Sequence, residues 1–455
     1  MRKMKALSIL LIAFLLVLTA CGGGKGSESG PSGSDNPPSA SGSASAVSSP
    51  SASESEPPAV DLGGRVIKFA AWWDDKPKGE TAGEKAQLEK IAEVEKKYNV
   101  KLEWVNIPFE EYMDKFTTSV LAGEPMADAV VLEFKRAIAP IKQGLLLPLS
   151  DYTSATSDVN NEQKHLMKLP PIAGTEYSFQ KTGVSIVGMY YNRDLFKKLS
   201  LPDPQELYNS GQWTWDKFLE LAKQATRDTN NDGKIDTWGF SGWPDDAARH
   251  FGVTNGALFV NDQDLSIGFT DPKMAEALEF VNRIWNVENV VKVKTGNKMD
   301  YNETNTFKDG DVAMSINYDW NVGDLTFEVG VVPNPAGPNF DGKHTYANTA
   351  QNGWFIPKGV KDPQIVYQIF EEIQDVPPTE EYVGQDWLES RFKNQADIDM
   401  ALSHINGTGR LSLEEGIPDF PFYAIMDDIV KNNQSVSATI EKYKQAAESA
   451  LAKIK

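Results

Sequence analysis

The chain lacks the residues that disulfides, thiolate metal centres and polyanion-binding surfaces require. Its 455 residues include one cysteine and four histidines, and 45 Lys and Arg stand against 64 Asp and Glu, for a net charge of −19. A single cysteine excludes an internal disulfide framework and a thiolate cluster, both of which need several sulfurs. The acidic balance argues against nucleic acid as a partner, because such binding depends on neutralising phosphates with Lys and Arg.

The sequence also lacks the common motifs of cofactor-dependent and hydrolytic enzymes. No G-x-G-x-x-G follows the first predicted strand, and G-x-S-x-G and H-E-x-x-H are absent. The four histidines are scattered singly along the chain, which is typical of structural or surface positions. No motif therefore indicates an enzyme.

The one long hydrophobic run lies at the N-terminus. Arg2, Lys3 and Lys5 precede 15 apolar or small residues at positions 6–20. This run is short for a membrane span and predicts a secretory signal peptide over residues 1–20. Residues 18–21 (LTAC) resemble the bacterial lipobox, whose cysteine is diacylated and becomes the new N-terminus. We therefore expect Cys21 to be a lipid anchor on the extracellular face of a cell membrane, in a Gram-positive bacterium.

Residues 21–61 predict a disordered tether behind the lipidated cysteine. Of the 40 residues from 22 to 61, 26 are Gly, Ser or Pro. Such a composition cannot bury enough apolar surface to offset the entropy lost on ordering. We expect the tether to hold a globular body away from the membrane.

The body shows an alternation of strand and helix patterns. Strands are predicted at residues 65–71, 100–105 and 128–132, with helices at 80–98 and 109–122 between them. This order predicts an α/β fold with a parallel sheet covered by helices. Further strand signals lie at 185–192, 307–320 and 354–356, and residues 363–455 are mostly helical.

Tryptophans recur beside carboxylates or amides at predicted strand ends. Open α/β sheets bind ligands at the carboxyl ends of their strands. An aromatic ring can pack on the apolar face of a sugar while neighbouring acids accept its hydroxyl hydrogen bonds. Core packing is the commoner role for any single Trp. The candidate ligand-binding residues from this pattern are Trp72, Trp73, Asp74, Asp75, Glu133, Trp243, Asp245, Asp246, Asp319, Trp320, Asn352 and Trp354.

One loop has the spacing of a calcium site. Oxygen-bearing side chains occur at positions 1, 3, 5 and 9 of the loop that begins at Asp228, and Gly233 stands at position 6. Ca²⁺ takes six to eight oxygens. We expect a structural Ca²⁺ site formed by Asp228, Asn230, Asp232, the Lys234 carbonyl and Asp236. A plain polar turn is the alternative, since Asn, Asp and Gly all favour turns.

Four segments, at residues 191–196, 213–218, 228–240 and 307–320, together resemble the extracellular solute-binding proteins of family 1, the lipid-anchored receptors of ABC importers, and in particular their sugar-binding members. Residues 191–196 (YNRDLF) resemble the family's Y-N-K/R-D-L-F, and residues 213–218 (WTWDKF) resemble its WTWDEF segment. The Asp228 loop followed by WGF at 238–240 resembles DTNGDGKxDxWGF. Residues 307–320 resemble F-x-x-G-x-A-M-x-x-x-x-x-W.

The resemblance implies a periplasmic-binding-protein-like fold, with two α/β lobes of mainly parallel sheets joined by hinge strands and a ligand cleft between them. We place one lobe at residues 62–180 plus about 347–405, and the other at about 181–346 plus 406–455. By similarity to the maltodextrin-binding branch, residues 72–75, Trp320 and Phe422 contact sugar.

The function that the resemblance implies is capture of a sugar or oligosaccharide and its delivery to an ABC permease, by a monomer without catalysis. Two other classes remain open. One is a glycoside hydrolase with paired carboxylates, and the other is a surface adhesin. A non-sugar solute such as a peptide also remains an alternative.

Overall fold

The computed structural model describes residues 60–149, 166–167, 177–179, 186–348, 352–382, 384–405 and 408–455, all within one compact unit from Ala59 to Lys455. The predicted signal segment, Cys21 and the tether up to residue 59 lie outside the described residues. Within the described ranges, no helix is both long enough and apolar enough to cross a membrane.

Twelve strands are described, and ten of them form two sheets. They are β1 Arg65–Ala71, β2 Val100–Asn106, β3 Ala129–Glu133, β4 Leu166–Met167, β5 Ser178–Phe179, β6 Val187–Asn192, β7 Trp238–Ser241, β8 Val312–Tyr318, β9 Val329–Val332, β10 Thr345–Asn348, β11 Asn352–Phe355 and β12 Thr408–Leu411. The first sheet has the order β2-β1-β3-β11-β5-β4, and the second has the order β7-β8-β6-β9.

Helices cover these sheets and fill the C-terminal part of the described chain. They are α1 Ala82–Tyr98, α2 Phe109–Leu121, α3 Phe134–Lys142, α4 Arg193–Leu199, α5 Pro204–Asn209, α6 Trp215–Ala225, α7 Pro244–Thr254, α8 Pro272–Asn286, α9 Tyr301–Thr304, α10 Pro363–Gln374, α11 Gln385–Arg391, α12 Gln395–Ile405, α13 Phe422–Met426 and α14 Val436–Ala452.

The predicted β-α-β-α-β order is confirmed at the start of the body. A capping box begins α1, with the Thr81 side chain accepting from the Glu84 backbone and the Glu84 side chain reaching back to the cap. The helix ends at Asn99 in the left-handed conformation. The chain can then turn straight into β2, which pairs parallel with β1 over seven residues. β3 pairs parallel with the other side of β1.

Both sheets are mixed, whereas mainly parallel sheets were expected. β11 runs antiparallel to β3, and β6 runs antiparallel to both β8 and β9. Parallel neighbours such as β1 and β3 are joined by helical crossovers. β11, by contrast, enters the first sheet after the chain has left the second, and it arrives in the opposite direction.

A separate two-stranded ladder lies where the chain passes between the sheets. β10 comes between β9 of the second sheet and β11 of the first, and it pairs parallel with β12 from Thr345↔Thr408 to Asn348↔Leu411. Hinge strands at this ladder stay a prediction.

Helices α10, α11 and α12 divide between the two sheets. α10 packs on α1 over the first sheet. Leu388 of α11 and Ala401 of α12 instead belong to a core that includes Tyr190 of β6 and Val331 of β9. The Arg193 guanidinium binds the Asp397 carboxylate at 2.6 Å, which ties α12 to the start of α4. The structure therefore differs from the assignment of all of residues 347–405 to the first lobe, because the chain returns to the second sheet after α10.

Candidate ligand-binding cleft

An aromatic group lies at the carboxyl end of β1, where a ligand site was predicted. The Trp72 ring meets the rings of Trp73, Phe109 and Tyr112 edge-on, at centroid distances of 5.0, 5.4 and 5.3 Å. The Tyr112 hydroxyl donates to the carbonyl of Ala70 at 2.7 Å, which fixes this group to the sheet. Trp73 is 37% exposed and offers a face to solvent.

The two aspartates that follow this tryptophan pair lie on the outer side of the group. Asp75 accepts a hydrogen bond from the Trp73 indole at 3.1 Å and so helps to orient that ring. Asp74 is exposed and lies 3.5 Å from the Lys78 ammonium. Neither carboxylate is part of the buried charge network described next.

Glu133 ends β3 and begins a network of charges on the first lobe. Its carboxylate lies 2.7 Å from the Arg136 Nε and 3.4 Å from the Lys135 Nζ, both on α3. The Arg136 guanidinium also lies over the Phe109 ring at 4.8 Å. The charges of α3 are thereby joined to the aromatic group at the end of β1.

Arg249 is the corresponding charge on the second lobe, one turn into α7. Its guanidinium binds Asp246 of the same helix at 3.0 Å, Glu414 at 2.6 Å and Glu415 at 3.2 Å. Arg249 is 2% exposed, so its charge is neutralised by these carboxylates rather than by water.

Glu415 bridges the two sides. Besides Arg249, it binds the Lys135 ammonium at 2.6 Å and Arg136 at 3.0 Å. The turn that carries it approaches α3 closely, since a Cβ at Gly416 would collide with the Lys135 carbonyl. Burial alone would raise the pKa of Glu415, but the charges of Lys135 and Arg249 lower it to about 2. Glu415 is therefore ionised at neutral pH.

We use the name ionic cluster for these residues and for Asp245, which precedes Asp246 on α7. Its members are Glu133, Lys135, Arg136, Asp245, Asp246, Arg249, Glu414 and Glu415.

Aromatic side chains of the second lobe flank the ionic cluster. The Tyr318 hydroxyl donates to Asp246 at 3.2 Å, and the Trp320 ring stacks on Tyr318 at 5.3 Å with an interplanar angle of 16°. Trp320 is 51% exposed and so presents its outer face. Trp243 lies beside Tyr423 at 6.3 Å, and the Tyr423 hydroxyl hydrogen-bonds to Glu415. The structure thus brings Trp72, Glu133, Asp246, Trp243 and Trp320 around one charge network.

Three of the predicted residues have structural surroundings instead. The Asp319 carboxylate accepts from the Ile186 amide at 2.9 Å and the Trp387 indole at 2.6 Å. Trp354 packs in the core of the first lobe, and Phe422 is buried beneath the Arg249 guanidinium at 4.3 Å. These side chains do not present a surface to a solute in this structure, which differs from the expected contact role.

Two other predicted residues have buried acceptor atoms without hydrogen-bond partners. Asn352 pairs with Glu133 across β11 and β3, and its Oδ1 has no hydrogen-bond partner among the described residues. Neither carboxyl oxygen of Asp245 has such a partner within the described part of the chain. Burial is the main cause that raises the pKa of Asp245, to about 8, and the carboxylates of Asp246 and Glu415 add to the rise.

Sequence reasoning did not select several members of the site. These are Phe109, Lys135, Arg136, Arg249, Tyr318, Glu414, Glu415 and Tyr423. The strongest signal for them was the Glu414–Glu415 pair in the otherwise largely apolar segment 411–422. Charges inside a buried segment need partners, and that requirement indicates a network.

The predicted calcium loop uses its oxygens on its own backbone in this structure. Asp228 accepts from the amides of Asn231, Asp232 and Gly233 at 2.7 to 3.2 Å. Asp236 accepts from the Thr229 amide and hydroxyl, each at 2.7 Å. In the described chain, no group of three or more His, Cys, Asp or Glu side chains is arranged to hold a metal ion. Calcium binding at this loop stays a prediction.

The family model for bacterial extracellular solute-binding proteins matches residues 89–371, more than half of the chain. The chain belongs to this family. The match spans the ends of β3 and β8 and the start of α7, so the cleft described above lies largely within it.

Solved structures of solute-binding proteins share this fold. An ABC substrate-binding protein from Listeria monocytogenes in complex with cycloalternan is 18% identical, with a TM-score of 0.61 over 86% of this chain and 98% of that one. The maltodextrin-binding domain MalE from Bdellovibrio bacteriovorus, bound to maltotriose, is 18% identical, with a TM-score of 0.57 over 85% of this chain and 100% of that one.

A third structure with this fold has a different kind of ligand. UgpB from Mycobacterium tuberculosis in complex with glycerophosphocholine is 16% identical, with a TM-score of 0.62 over 86% of this chain and 100% of that one. At these identities the solved structures show the fold of this solute-binding protein. No curated protein matches the chain.

Proposed function

We propose that this solute-binding protein captures a sugar or oligosaccharide between its lobes and delivers it to the permease of an ABC importer. The observation that carries the proposal is the pair of exposed aromatic faces, Trp73 on one lobe and Trp320 on the other, on either side of the ionic cluster. Aromatic faces suit the C–H surface of a pyranose, and carboxylates accept its hydroxyl hydrogens. Two of the proteins with this fold described above were solved with oligosaccharides bound.

Because the exposed rings lie on different lobes, we expect the lobes to close on the solute when it binds. A solute that touches both lobes has more contacts in the closed state than in the open one. A ligand shifts such an equilibrium only by its differential affinity for the two states. Closure would then present a distinct surface to the permease without any covalent change in the solute.

A glycoside hydrolase is the competing function, and the charge network argues against it. Hydrolysis needs one carboxyl group to hold a proton for the leaving group and a second to act as base or nucleophile. Glu133 and Asp246 each lie within 3.0 Å of a cationic side chain, and the charges of Lys135 and Arg249 lower the pKa of Glu415, which favours its ionised form. Asp245 does have a raised pKa, but it is buried.

The N-terminal residues support an anchored location for this function. We propose that residues 1–20 are removed on export and that Cys21 is diacylated, which holds a monomer on the extracellular face of a Gram-positive cell membrane. The tether up to residue 61 would let the body reach the permease. Replacing Cys21 with Ser should release the protein from membranes into the medium.

A thermal-shift screen against mono- and oligosaccharides tests the proposed function. We would use residues 22–455, which lack only the predicted signal segment and Cys21. A ligand at 100 times its Kd should stabilise the protein by about 2.7 kcal/mol. Chromatography of the same mixtures should show the saccharide unchanged. Cleaved saccharide would establish the hydrolase instead, and a shift only with peptides would replace the sugar with a peptide solute.

A further inference from the structure

The ionic cluster contains more carboxyl groups than cations. Five carboxyl groups, from Glu133, Asp245, Asp246, Glu414 and Glu415, surround Lys135, Arg136 and Arg249. Because its raised pKa keeps Asp245 protonated near neutral pH, four carboxylates remain against three cations, an excess of one negative charge that is largely shielded from water. Its field therefore acts on whatever enters the cleft with little screening.

Each cation of the cluster already forms an ion pair with at least one of its carboxylates. Lys135 lies 2.6 Å from Glu415, Arg136 lies 2.7 Å from Glu133, and Arg249 lies 2.6 Å from Glu414. An anionic solute would have to compete with these carboxylates for every positive charge. That competition makes the cleft unfavourable for phosphate, sulfate or carboxylate groups.

Most of the unmet groups in and beside the cluster are acceptors, although the buried Arg136 Nε and both ring nitrogens of His250, next to Arg249 on α7, also lack hydrogen-bond partners among the described residues. Among the described residues, Asp245 Oδ1 and Oδ2, Glu414 Oε2 and Asn352 Oδ1 are buried without a hydrogen-bond partner. Asp245 is fully buried and lies within electrostatic range of Arg249, Asp246, Glu415, Tyr423 and Asp427. A buried acceptor that lacks a donor destabilises the structure, and a nearby positive charge relieves part of that cost.

At the solvent-facing edge of the cluster, carboxylates lie beside aromatic rings. Tyr423 is 48% exposed and hydrogen-bonds to Glu415, and the Asp246 carboxylate touches Tyr318 beneath the exposed Trp320 ring. Aromatic faces attract cations through their quadrupole as well as packing on apolar C–H groups. Hydroxyl-bearing and positively charged groups can therefore both be accommodated at this edge.

We propose that the cleft selects a solute that carries a positive charge beside its hydroxyls, such as an amino sugar, over neutral and anionic solutes of the same size. The sugar framework of this solute rests on the proposed function above, whereas the charge preference rests on the ionic cluster alone. A cation in the cleft also favours ionisation of Asp245, whose pKa is about 8 without it. Binding should therefore release a proton near neutral pH.

Calorimetric titration with charge-matched trisaccharides tests the proposal. The probes are the trisaccharide of glucosamine, its N-acetylated form, neutral cellotriose, a uronic acid trisaccharide and, as a cation without a sugar, spermidine. At about pH 6.5 and low salt we expect the glucosamine trisaccharide to bind at least 10-fold more tightly than its N-acetylated form. Its heat of binding should vary with the ionisation enthalpy of the buffer differently in the parent and in Asp245→Asn, because proton uptake by the sugar amines is common to both proteins whereas proton release from Asp245 occurs only in the parent.

Two isosteric variants locate the effect, and a third controls for net charge. Asp245→Asn should remove the proton release that the parent shows beyond the proton uptake of the sugar amines, and Asp246→Asn should reduce the preference for the charged trisaccharide to less than threefold. Glu93→Gln removes one charge from the exposed surface of α1 and should change neither quantity. Circular dichroism and the melting temperature of each variant verify that it is folded.

The outcomes separate this inference from the proposed function. Tighter binding of cellotriose or the N-acetylated form would overturn the charge preference while supporting a sugar receptor. Binding of spermidine without any saccharide would overturn the sugar and support the charge preference. Tightest binding of the uronic acid trisaccharide, or no binding of any probe, would contradict the charge preference.

Discussion

Two groups of carboxylates in this protein are held in opposite ways. In the loop from Asp228 to Asp236, the acids are exposed and accept hydrogen bonds from backbone amides a few residues away. In the ionic cluster, Glu414 and Arg249 are buried, and the half-buried Glu415 reaches Lys135, 280 residues distant in sequence. The first group is a local motif that the sequence displays, and the second exists only once both lobes have assembled.

Exposed and buried carboxylates should contribute differently to the free energy of unfolding. Exposed charges interact weakly, because water screens them and solvates each one well. Buried charges are costly unless every one is paired, so removal of one partner leaves the others uncompensated. The two groups should therefore respond very differently to a single substitution.

The largest expected effect is the loss of Arg249. Arg249→Met removes the cation that Asp246, Glu414 and Glu415 share, and breaking a buried pair in this way costs about 3–5 kcal/mol of the free energy of unfolding. Denaturant titration measures it, and Arg249→Lys should lose less. Asp228→Asn in the loop is the comparison and should shift the midpoint much less. Equal shifts for Arg249→Met and Asp228→Asn would contradict the difference between the two groups.

A smaller effect is expected at Asp245 and should depend on pH. Burial raises the pKa of Asp245 to about 8, so the folded protein holds a proton that the unfolded chain releases above its ordinary pKa near 4. The stabilising contribution of this proton is therefore complete at low pH and is lost as the pH rises through about 8. Asp245→Asn should therefore raise the melting temperature at pH 9, where the parent protein must bury an ionised carboxylate.

The control for this pH effect is the melting temperature of Asp245→Asn at acidic pH. Near pH 4.5 Asp245 is already neutral in the folded state, and the variant should melt close to the parent protein. A difference between the two proteins that stays constant from pH 4.5 to 9 would show that Asp245 does not titrate as described.

The smallest expected effect concerns calcium at the loop. If Asp228, Asp232 and Asp236 turn from the backbone to bind Ca²⁺, the ion should stabilise the protein by about 0.4 kcal/mol when its concentration equals its Kd. Millimolar CaCl₂ should raise the melting temperature of the parent and of Glu93→Gln, but not that of Asp232→Asn. An unchanged melting temperature in the parent at all calcium concentrations would leave the loop as a polar turn.

The sequence predicts the local elements well and the long-range partners poorly. The strand at residues 65–71 is found as β1 Arg65–Ala71, and the following β-α-β-α-β order is correct, because apolar periodicity and the cap at Thr81 are local properties. The tryptophans beside the β1 end and after β8 were identified for the same reason. Glu415 was missed because nothing local indicates that it faces Lys135 and Arg249.

Two predicted cleft residues that are adjacent in sequence have different surroundings in the structure. Asp319 and Trp320 are adjacent in sequence and were both assigned to the cleft. Asp319 turns inward to the Trp387 indole, while Trp320 stays exposed. Successive side chains near a strand point to opposite faces, so a cluster in sequence divides into one residue for the core and one for the surface.

The most direct test of capture between the lobes is a calorimetric comparison of Trp73→Ala and Trp320→Ala, with the saccharide that gives the largest thermal shift as ligand. Both rings are exposed, so each variant should fold normally, and each should weaken binding at least 10-fold because the two rings contact one solute from opposite lobes. Leu121→Ala, which trims an exposed apolar side chain on α2, should bind as the parent does. Unchanged affinity in either tryptophan variant would contradict a solute held between the two lobes.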